Sequence, residues 1–520
     1  MIWHILKKDF KLLWGITAGV AALHLGRALA CYRMGHFSGN ATLVQLLNLL
    51  IIAEYLASGF LIVMVVHQDA IPGVRQDWLI RPIRRRDLLA AKMLFTALLV
   101  LGPMVAADFF ESLLFGFPVA ASAGAALDRG VFLLLFTAIA IAAFGSLTTN
   151  LTQTIAIAMA VFLAIGAFIV IANAFRGPGR PPFVVDASGL EWITEAERSA
   201  VCAVTAALVL GLQYFRRRTR AAYWVFGGGV LLWLLTLMTP WRAAFALQER
   251  VAPGSPAAAG IRLGFDPTAG PKRSEVGGAS RLPDSRSNRF VESATVALPV
   301  RITGLPDDVV LNADHYELRL RRGDGSTIHH DYGENLQIFQ EGAGNGSNAS
   351  YQVLWIPQTL YQRIKEQPLE VELDYSFTLM RLGGSYSLAA FGADERLPQL
   401  GWCKSRINAG QTAVQVRCFQ PASAVDCGSA FLEDTSTGLR NPARQACQPS
   451  YSPYVDSIYD STGRMGMTLP FRDPAGLAHY PVSGEQLAQA RVVVRAYKPA
   501  AHFTRQLVIP NVRLGEWNVP

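Results

Sequence analysis

The stretch LVQLLNLLIIAEYLASGFLIVMVV (residues 43–66) decides the fold class, because it is almost entirely apolar and contains one charged side chain, Glu54. A helix needs about 20 mainly apolar residues to cross the hydrocarbon core of a bilayer. Residues 43–66 reach that length without a break. A strand of a membrane β-barrel would instead alternate apolar and polar residues over short segments. The stretch therefore predicts a membrane-spanning helix.

Similar apolar runs recur through the N-terminal half, and together they predict an α-helical transmembrane bundle of about seven spans over residues 1–240. The other six runs lie near 12–30, 88–110, 131–147, 155–175, 199–215 and 221–238. The predicted location is a plasma or inner membrane, with the lipid bilayer as the immediate surroundings of the bundle.

Basic residues are distributed unevenly, which predicts the orientation. Residues 1–240 contain 19 Lys+Arg and 12 Asp+Glu, whereas residues 241–520 contain 28 and 27. With the N-terminus in the cytoplasm, 13 of those 19 basic residues fall on the cytoplasmic side, as the positive-inside rule requires. Seven spans then place the C-terminal region outside the cytoplasm, in the periplasm if the cell is Gram-negative. No basic cluster follows residue 240, which argues against nucleic acid as a partner.

The first residues leave alternatives open. Aromatic side chains between Trp3 and Trp14 alternate with lysines, which suits a helix in the membrane interface or the positive flank of the first span. Residues 28–31 resemble a lipoprotein cleavage box, so removal of the first span as a signal is a further alternative. His24 and Arg27 interrupt the apolar run and argue against that removal.

The C-terminal half predicts strands. Residues 241–290 are rich in Ala, Gly, Pro and Ser and are interpreted as a linker. Residues 291–520 contain short stretches in which apolar and polar residues alternate, a pattern typical of strands with one buried face. They lie at 294–302, 316–320, 351–356, 371–377, 414–418, 491–497 and 506–512. We predict an extracytoplasmic, β-rich, sandwich-like region that forms one or two sandwiches.

Four of the six cysteines lie close together in this half. They are Cys403, Cys418, Cys427 and Cys447. An even number of cysteines in an oxidising compartment predicts two disulfides, with three possible pairings. A zinc site is the alternative, but no C-x-x-C spacing supports it. Cys31 and Cys202 are expected to remain thiols.

The loop between the second and third predicted spans carries the functional hint. It reads HQDAIPGVRQDWLIRPIRRRDLLAAK (67–92) and is dense in arginine. Its 77–80 segment forms an amphipathic turn that Pro82 ends, and Asp87 is placed to cap the next helix. On charge alone, the loop is a positive-inside anchor.

The pattern Asp-Trp-Leu-x-Arg-Pro-Ile-x-Arg in this loop, followed by LLAAK (88–92), resembles the permease subunits of ABC-2 type ATP-binding-cassette transporters. The basic end QYFRRR (213–218) after the sixth span is similar to theirs as well. Those permeases carry short external helices before the sixth span, and Ser188 with Glu191 could form a capping box that begins one from Leu190 to about Arg198. The resemblance covers about residues 1–220, and the seventh span and the β-rich region depart from it.

The resemblance implies that the loop docks on a separate cytoplasmic ATPase subunit, which would bind ATP and Mg²⁺, while this chain binds no cofactor. It implies a dimer with a second permease copy, identical or different. The implied contact residues are Asp77, Trp78, Arg81, Pro82, Arg84, Arg85 and Arg86. No G-x-x-x-x-G-K-[ST] phosphate loop occurs in the chain, in keeping with that division of labour.

Glu54 is a second candidate, because a carboxylate within the membrane is costly and is retained mainly for function or for a polar contact between helices. His24 and Arg27 in the first span are its expected partners. Asp108 and Glu111, at the end of the third span, are expected to be solvated.

No enzyme or metal signature is present: the chain lacks H-E-x-x-H and G-x-S-x-G, and adjacent His329 and His330 on a strand would point to opposite faces. We therefore predict the permease subunit of an ATP-driven exporter that is not itself an enzyme. The alternative is a membrane-anchored protein whose β-rich region binds or senses a ligand. A membrane enzyme using Glu54 is a third interpretation.

Overall fold

Long helices make up the N-terminal half of the protein, and antiparallel sheets make up the C-terminal half. The computed structural model describes residues 1–36, 41–69, 84–175, 191–239, 243–244, 246–247, 250, 256–271, 281–283, 290–306, 309–334, 339–341, 350–398, 400–407, 413–420, 427–434, 444–447, 463–470 and 490–519. Six of the described helices are long and apolar enough to cross a membrane.

Seven long helices among the described residues follow one another along the chain. They are α1 (Ile2–His36), α2 (Ala41–His67), α3 (Arg85–Leu114), α4 (Val119–Ser146), α5 (Leu151–Phe175), α6 (Glu191–Leu210, continued by Gly211–Arg216) and α7 (Thr219–Thr236). The six candidate spans are α1 to α6. Their outward surfaces expose large apolar side chains such as Leu49, Phe162 and Val170, as lipid contact requires.

The predicted seventh span is present as α7, but it is not among the six. α7 has 18 residues, which gives a length of about 27 Å, and Arg220 lies in its first turn. That number of residues is near the lower end of the range of about 17 to 25 that a span needs. α7 therefore differs from the six in its lower mean hydropathy and not in being too short for a span.

Single π turns interrupt three of the helices, at Thr96–Leu101 in α3, Leu134–Ala138 in α4 and Gly211–Arg216 at the end of α6. The turn in α3 directly precedes Pro103, whose ring and missing N–H disturb the α-helical hydrogen-bond ladder. The turns of α3 and α4 contact each other.

Three helix boundaries differ from the sequence-based expectation. α1 is continuous from Ile2, so the aromatic and basic start is the flank of the first span rather than a separate interfacial helix. The predicted short external helix is wrong over its described part: Glu191–Arg198 begins α6, because no Gly or Pro breaks the helix before Gly211. α4 begins at Val119, since the Ala-rich residues before 131 favour helix.

The described residues of the β-rich region form three antiparallel sheets. The strands are β1 (Arg262–Phe265), β2 (Arg281–Pro283), β3 (Phe290–Thr303), β4 (Val309–Arg321), β5 (Thr327–Glu334), β6 (Phe339–Glu341), β7 (Ser350–Pro357), β8 (Leu369–Ala389), β9 (Asp394–Leu397), β10 (Gly401–Ile407), β11 (Ala413–Gln420), β12 (Cys427–Asp434), β13 (Arg444–Cys447), β14 (Gly463–Pro470) and β15 (Ala490–Val512). Two short helices, α8 (Pro256–Gly260) and α9 (Gln358–Ile364), complete it.

The largest sheet has the strand order β13-β12-β15-β8-β4-β5, with β6 added beside β4. A second sheet is built around β3, which pairs with β1, β2 and β7, and a third has the order β14-β11-β10-β9. Because β1 and β2 fall within 241–290, strands of this region begin inside the predicted linker.

The two large hydrophobic cores among the described residues of the β-rich region are separate from each other. The first core lies between the β3 sheet and the large sheet and contains Val296, Leu318, Leu373, Phe377 and Leu507. The second core lies beside β10 and β11 and contains Leu388, Val414, Val416, Val492 and Val494.

Two long strands join these cores. The first core contains side chains from the start of β8 and from the end of β15. The second core contains side chains from the end of β8 and from the start of β15. Shifts in register at Ala496/Tyr497 and Pro499/Ala501 bend β15 between the two cores. The expected strands at 491–497 and 506–512 are therefore one strand.

Candidate functional site

Lys92 of α3 joins the ends of three helices in one buried charge cluster. Its Nζ lies 2.7 Å from Asp9 of α1 and 2.6 Å from Asp69, which follows α2. Lys8 adds a second cation, 3.0 Å from Asp69 and 3.4 Å from Asp9. The side chains of Lys92 and Asp9 are completely buried, whereas that of Lys8 is 44% exposed. We call Lys8, Asp9, Asp69 and Lys92 the Lys92 cluster.

The Lys92 cluster lies at the base of the arginine-rich loop. Within the 67–92 segment, Asp69 is the last described residue after α2, and the described residues resume at Arg84, directly before α3 begins at Arg85. Arg85 donates a hydrogen bond to the Phe215 carbonyl oxygen at 3.2 Å, so the start of α3 is also tied to the end of α6. Both ends of the loop are thus attached to the bundle.

The implied ATPase-contact residues are only partly described. Asp77, Trp78, Arg81 and Pro82 lie outside the described residues. Arg84 and Arg86 are exposed beside the loop, as a docking surface would require, and Arg85 is half-buried. Asp87 does not cap α3 as expected: Arg84 occupies the N-cap position, and Asp87 lies in the first turn.

A second buried cluster joins α1 to α4 farther along these helices. Arg27 Nε lies 2.8 Å from Glu54 Oε2, and His24 Nδ1 lies 2.8 Å from Glu54 Oε1. Arg27 also pairs with Asp108 and, at 3.3 Å, with Glu111. Glu54 is therefore held by the two side chains of α1 that the sequence suggested. We call His24, Arg27, Glu54, Asp108, Glu111 and Arg129 the Arg27 cluster.

Asp108 and Glu111 are not solvated, and that expectation is wrong. Both are buried, because Arg27 reaches both carboxylates and Arg129 of α4 pairs with Asp108 at 2.7 Å. Arg129 also donates to the Tyr55 hydroxyl at 3.3 Å. The sequence placed Arg129 in the outer loop, whereas α4 begins ten residues earlier and brings it inside the bundle.

The two clusters are separated by most of a membrane thickness. Along α1, α2 and α3, the members of one cluster lie 15 to 19 positions from those of the other. At 1.5 Å per residue these intervals are about 22 to 28 Å. The hydrophobic core of α1 to α4 fills the space between them. The two clusters thus hold α1, α2 and α3 together at two levels, about 22 to 28 Å apart along the helix axes.

The β-rich region has a charged face on its large sheet. Arg319 of β4 pairs with Glu317 at 2.9 Å, with Asp374 of β8 at 2.7 Å and with Glu372. Burial alone would raise the pKa of Glu317, but hydrogen bonds from His330 and Arg319 outweigh it and lower that pKa to about 2. Burial lowers the pKa of His315 to about 3, against the attraction of Glu317.

One of the two predicted disulfides is present, between Cys403 of β10 and Cys418 of β11. The backbones of Cys427 and Cys447 lie opposite each other in β12 and β13, but their side chains lie outside the described residues. Cys31 and Cys202 are thiols.

His330 contacts Glu317 at 2.8 Å, and the described residues contain no group of three or more metal-ligating side chains.

No family model matches the chain, and no curated protein sequence matches it.

Proposed function

We propose that this chain is the transmembrane permease subunit of an ATP-driven, ABC-type exporter. A separate cytoplasmic ATPase subunit, which holds ATP and Mg²⁺, docks on the 67–92 loop, and a second permease copy completes the transporter. The observation that supports this proposal most strongly is the position of the Lys92 cluster. It fixes α1, α2 and α3 to one another at the base of the loop.

The Lys92 cluster would transmit force from the loop to the helices. Separation of a buried charge from its partner strongly destabilises a protein. Asp9, Asp69 and Lys92 would therefore stay in contact when a force acts on the loop. A push on the loop would then move the adjacent ends of α1, α2 and α3 as one body. Farther along, the Arg27 cluster holds the same helices with α4, and a tilt between inward- and outward-open states would rearrange its contacts.

The β-rich region lies outside the cytoplasm in this proposal. The six spans α1 to α6 return the chain to the side on which it began, so α7 must cross as well. The exposed side chains of Trp224, Leu231 and Leu235 on α7 suit contact with lipid. The Cys403–Cys418 disulfide also favours an oxidising compartment for the β-rich region.

Affinity purification of the tagged full chain from mild detergent tests the proposal. We expect an ATPase to co-purify with the wild-type chain and to be lost with Arg81→Glu/Arg86→Glu, which leaves the Arg85 contact with Phe215 in place. The matched control is Lys7→Glu/Lys11→Glu, which reverses two exposed charges of α1 and should retain the ATPase. If no ATPase is recovered with the wild type, while the ATPase of a known transporter is recovered in parallel, the proposal is wrong.

The alternative function, a membrane-anchored binding or sensing protein, is favoured by the β-rich region, which has two cores of its own and a disulfide. For such a protein the loop variant Arg81→Glu/Arg86→Glu would leave function in the cell unchanged. A transporter would lose function with the same variant, so one phenotype separates the two proposals.

A further inference from the structure

An apolar cavity of about 200 Å³ lies between α4, α5, α6 and α7. Ala140 and Ala143 of α4, Val161 and Ile165 of α5, and the 201–209 segment of α6 line it. Phe226 to Trp233 of α7 close the remaining side. Apart from Cys202, Thr205 and the Trp233 indole, these side chains are hydrocarbon, so the cavity suits an apolar occupant.

The wall formed by α5 is the loosest part of the bundle. Only 6% of the α5 span is buried, compared with 33% of the α6 span. On the other side α6 and α7 are in close contact, because Gly229 packs directly against Thr205. The cavity is partly open, and the weakly packed α5 gives a molecule in the surrounding lipid a route into it.

The position of the cavity along the membrane normal indicates that its occupant is apolar. Val209 lies seven residues before Arg216, and Phe226 lies six residues after Arg220, so the near end of the cavity is about 10 Å from these arginines. Trp233 marks the far end at about 20 Å. In a hydrocarbon core of about 30 Å the cavity therefore lies around the middle, where only acyl chains are found.

A cluster of positive charge lies about 10 Å from the near end of the cavity. The turn between α6 and α7 carries four exposed arginines, namely Arg216, Arg217, Arg218 and Arg220. Arg217 has a left-handed backbone with φ of 53°, which ends α6 and begins the tight turn. Basic clusters directly beside a membrane helix attract anionic lipid headgroups.

We infer that an anionic phospholipid binds at α6 and α7, with its headgroup on these four arginines and the end of one acyl chain in the cavity. With the headgroup at the arginines, an acyl chain that reaches the bilayer midplane would extend over the interval of about 10 to 20 Å that the cavity occupies. A zwitterionic phospholipid has the same chains but lacks the net negative charge that the arginines attract. The inference does not depend on the proposed transport function, because it concerns a lipid site in the resting bundle.

Native mass spectrometry of the delipidated full chain, incubated with dioleoyl phosphatidylglycerol or dioleoyl phosphatidylcholine, tests the inference. We expect retention of phosphatidylglycerol only. Replacement of all four arginines by glutamine should weaken its retention by on the order of a thousandfold, since each arginine near an anionic surface contributes a factor of about five. Equal retention of both lipids by the wild type would overturn the headgroup assignment.

A matched pair of variants on α6 tests the cavity. Val201→Trp fills it, whereas Val204→Trp places the same side chain at a position that is 59% exposed to lipid. We expect V201W to lose phosphatidylglycerol and V204W to retain it. Equal retention by the two variants would overturn the assignment of the acyl chain to the cavity.

Alkylation of Cys202 in the unaltered chain decides the question if V201W does not fold. Cys202 lines the cavity, so bound phosphatidylglycerol should slow its reaction with N-ethylmaleimide, and phosphatidylcholine should not. Peptide mass spectrometry measures the rate. A rate that phosphatidylglycerol leaves unchanged contradicts occupation of the cavity.

Discussion

At the scale of single residues, Lys92 is the side chain on which the base of the loop depends. Its ammonium group is the fully buried cation between Asp9 and Asp69. Lys92→Met keeps the volume of the side chain and leaves only the half-exposed Lys8 beside the two carboxylates. We expect a loss of about 3–5 kcal/mol in the free energy of unfolding, the usual result when one partner of a buried ion pair is removed.

Thermal unfolding of the full chain in detergent measures this loss. Lys11→Met is the matched control, because Lys11 is exposed on the same face of the membrane bundle, beside the loop end of α1. Equal melting temperatures for K92M and K11M would contradict the role given to the Lys92 cluster.

His315 predicts a pH dependence of the β-rich region. The buried imidazole of His315 has a pKa of about 3 in the folded protein. In the unfolded chain the same imidazole takes up a proton below about pH 6.5, whereas in the folded protein it stays neutral until the pH approaches 3. Its contribution therefore lowers the free energy of unfolding as pH falls from 6.5 toward 3, by up to about 1.4 kcal/mol per pH unit. Burial lowers the pKa of His329 and His502 as well, and both act with the same sign.

The measurement is the melting temperature, followed by tryptophan fluorescence, between pH 7 and pH 5. We expect His315→Gln to lose less stability over this range than the wild type and than His4→Gln, whose imidazole is exposed. The depressed pKa of Glu317 contributes only below about 4.5, as pH falls toward 2, outside this range. Parallel curves for all three proteins would show that His315 is not the group responsible.

Single residues also show where sequence reasoning is insufficient. Glu54 was identified because a carboxylate stands out in an apolar run, and its partners on α1 were the nearest charged candidates. Asp108 and Glu111 were missed because they lie at the predicted end of a span, where solvation is the default. The sequence held one signal of their burial, because the guanidinium of Arg27 has more hydrogen-bond donors than the carboxylate of Glu54 can accept from. That Arg27 contacts α3 depends on how the helices pack, which the sequence does not give.

At the scale of elements, the Cys403–Cys418 disulfide predicts that the second core of the β-rich region is stabilised separately from the first. It joins β10 to β11 across 15 residues of chain, a loop for which a disulfide contributes about 3 kcal/mol. We expect Cys403→Ala/Cys418→Ala to speed amide hydrogen exchange in β10 and β11, while β3 and β7 remain protected.

Hydrogen-exchange mass spectrometry resolves these strands. Cys202→Ala, which removes a thiol of α6, is the control and should change neither core. Equal acceleration in β3 and β7 would mean that the two cores unfold as one unit.

Element boundaries were harder to predict than element types. The six spans and the main strands follow from apolar runs and from period-two alternation, which depend only on local sequence. The continuity of β15 was not evident, because Pro499 and the residues around it look like a turn. Pairing with β8 along most of its length keeps the strand extended through two register shifts.

At the scale of the whole molecule, α7 determines the side of the membrane on which the β-rich region lies. If α7 crosses, the turn between β4 and β5 and the base of the 67–92 loop lie on opposite sides. We expect a Gly323→Cys thiol in that turn to react with a membrane-impermeant maleimide in spheroplasts. An Arg84→Cys thiol should react only after permeabilisation. Labelling of both thiols in intact spheroplasts, or of neither, would place the β-rich region and the loop on the same side.

The central claim is that the 67–92 loop contacts an ATP-hydrolysing subunit, and site-specific photo-crosslinking in cells tests it most directly. A photoreactive amino acid replaces Arg81 in the loop or, as a control, exposed Phe162 on α5. We predict that the Arg81 position forms an adduct with a protein that carries a nucleotide-binding phosphate loop, and that the Phe162 position does not. Adducts at Arg81 with lipid alone, or with the same proteins as at Phe162, would contradict the permease proposal.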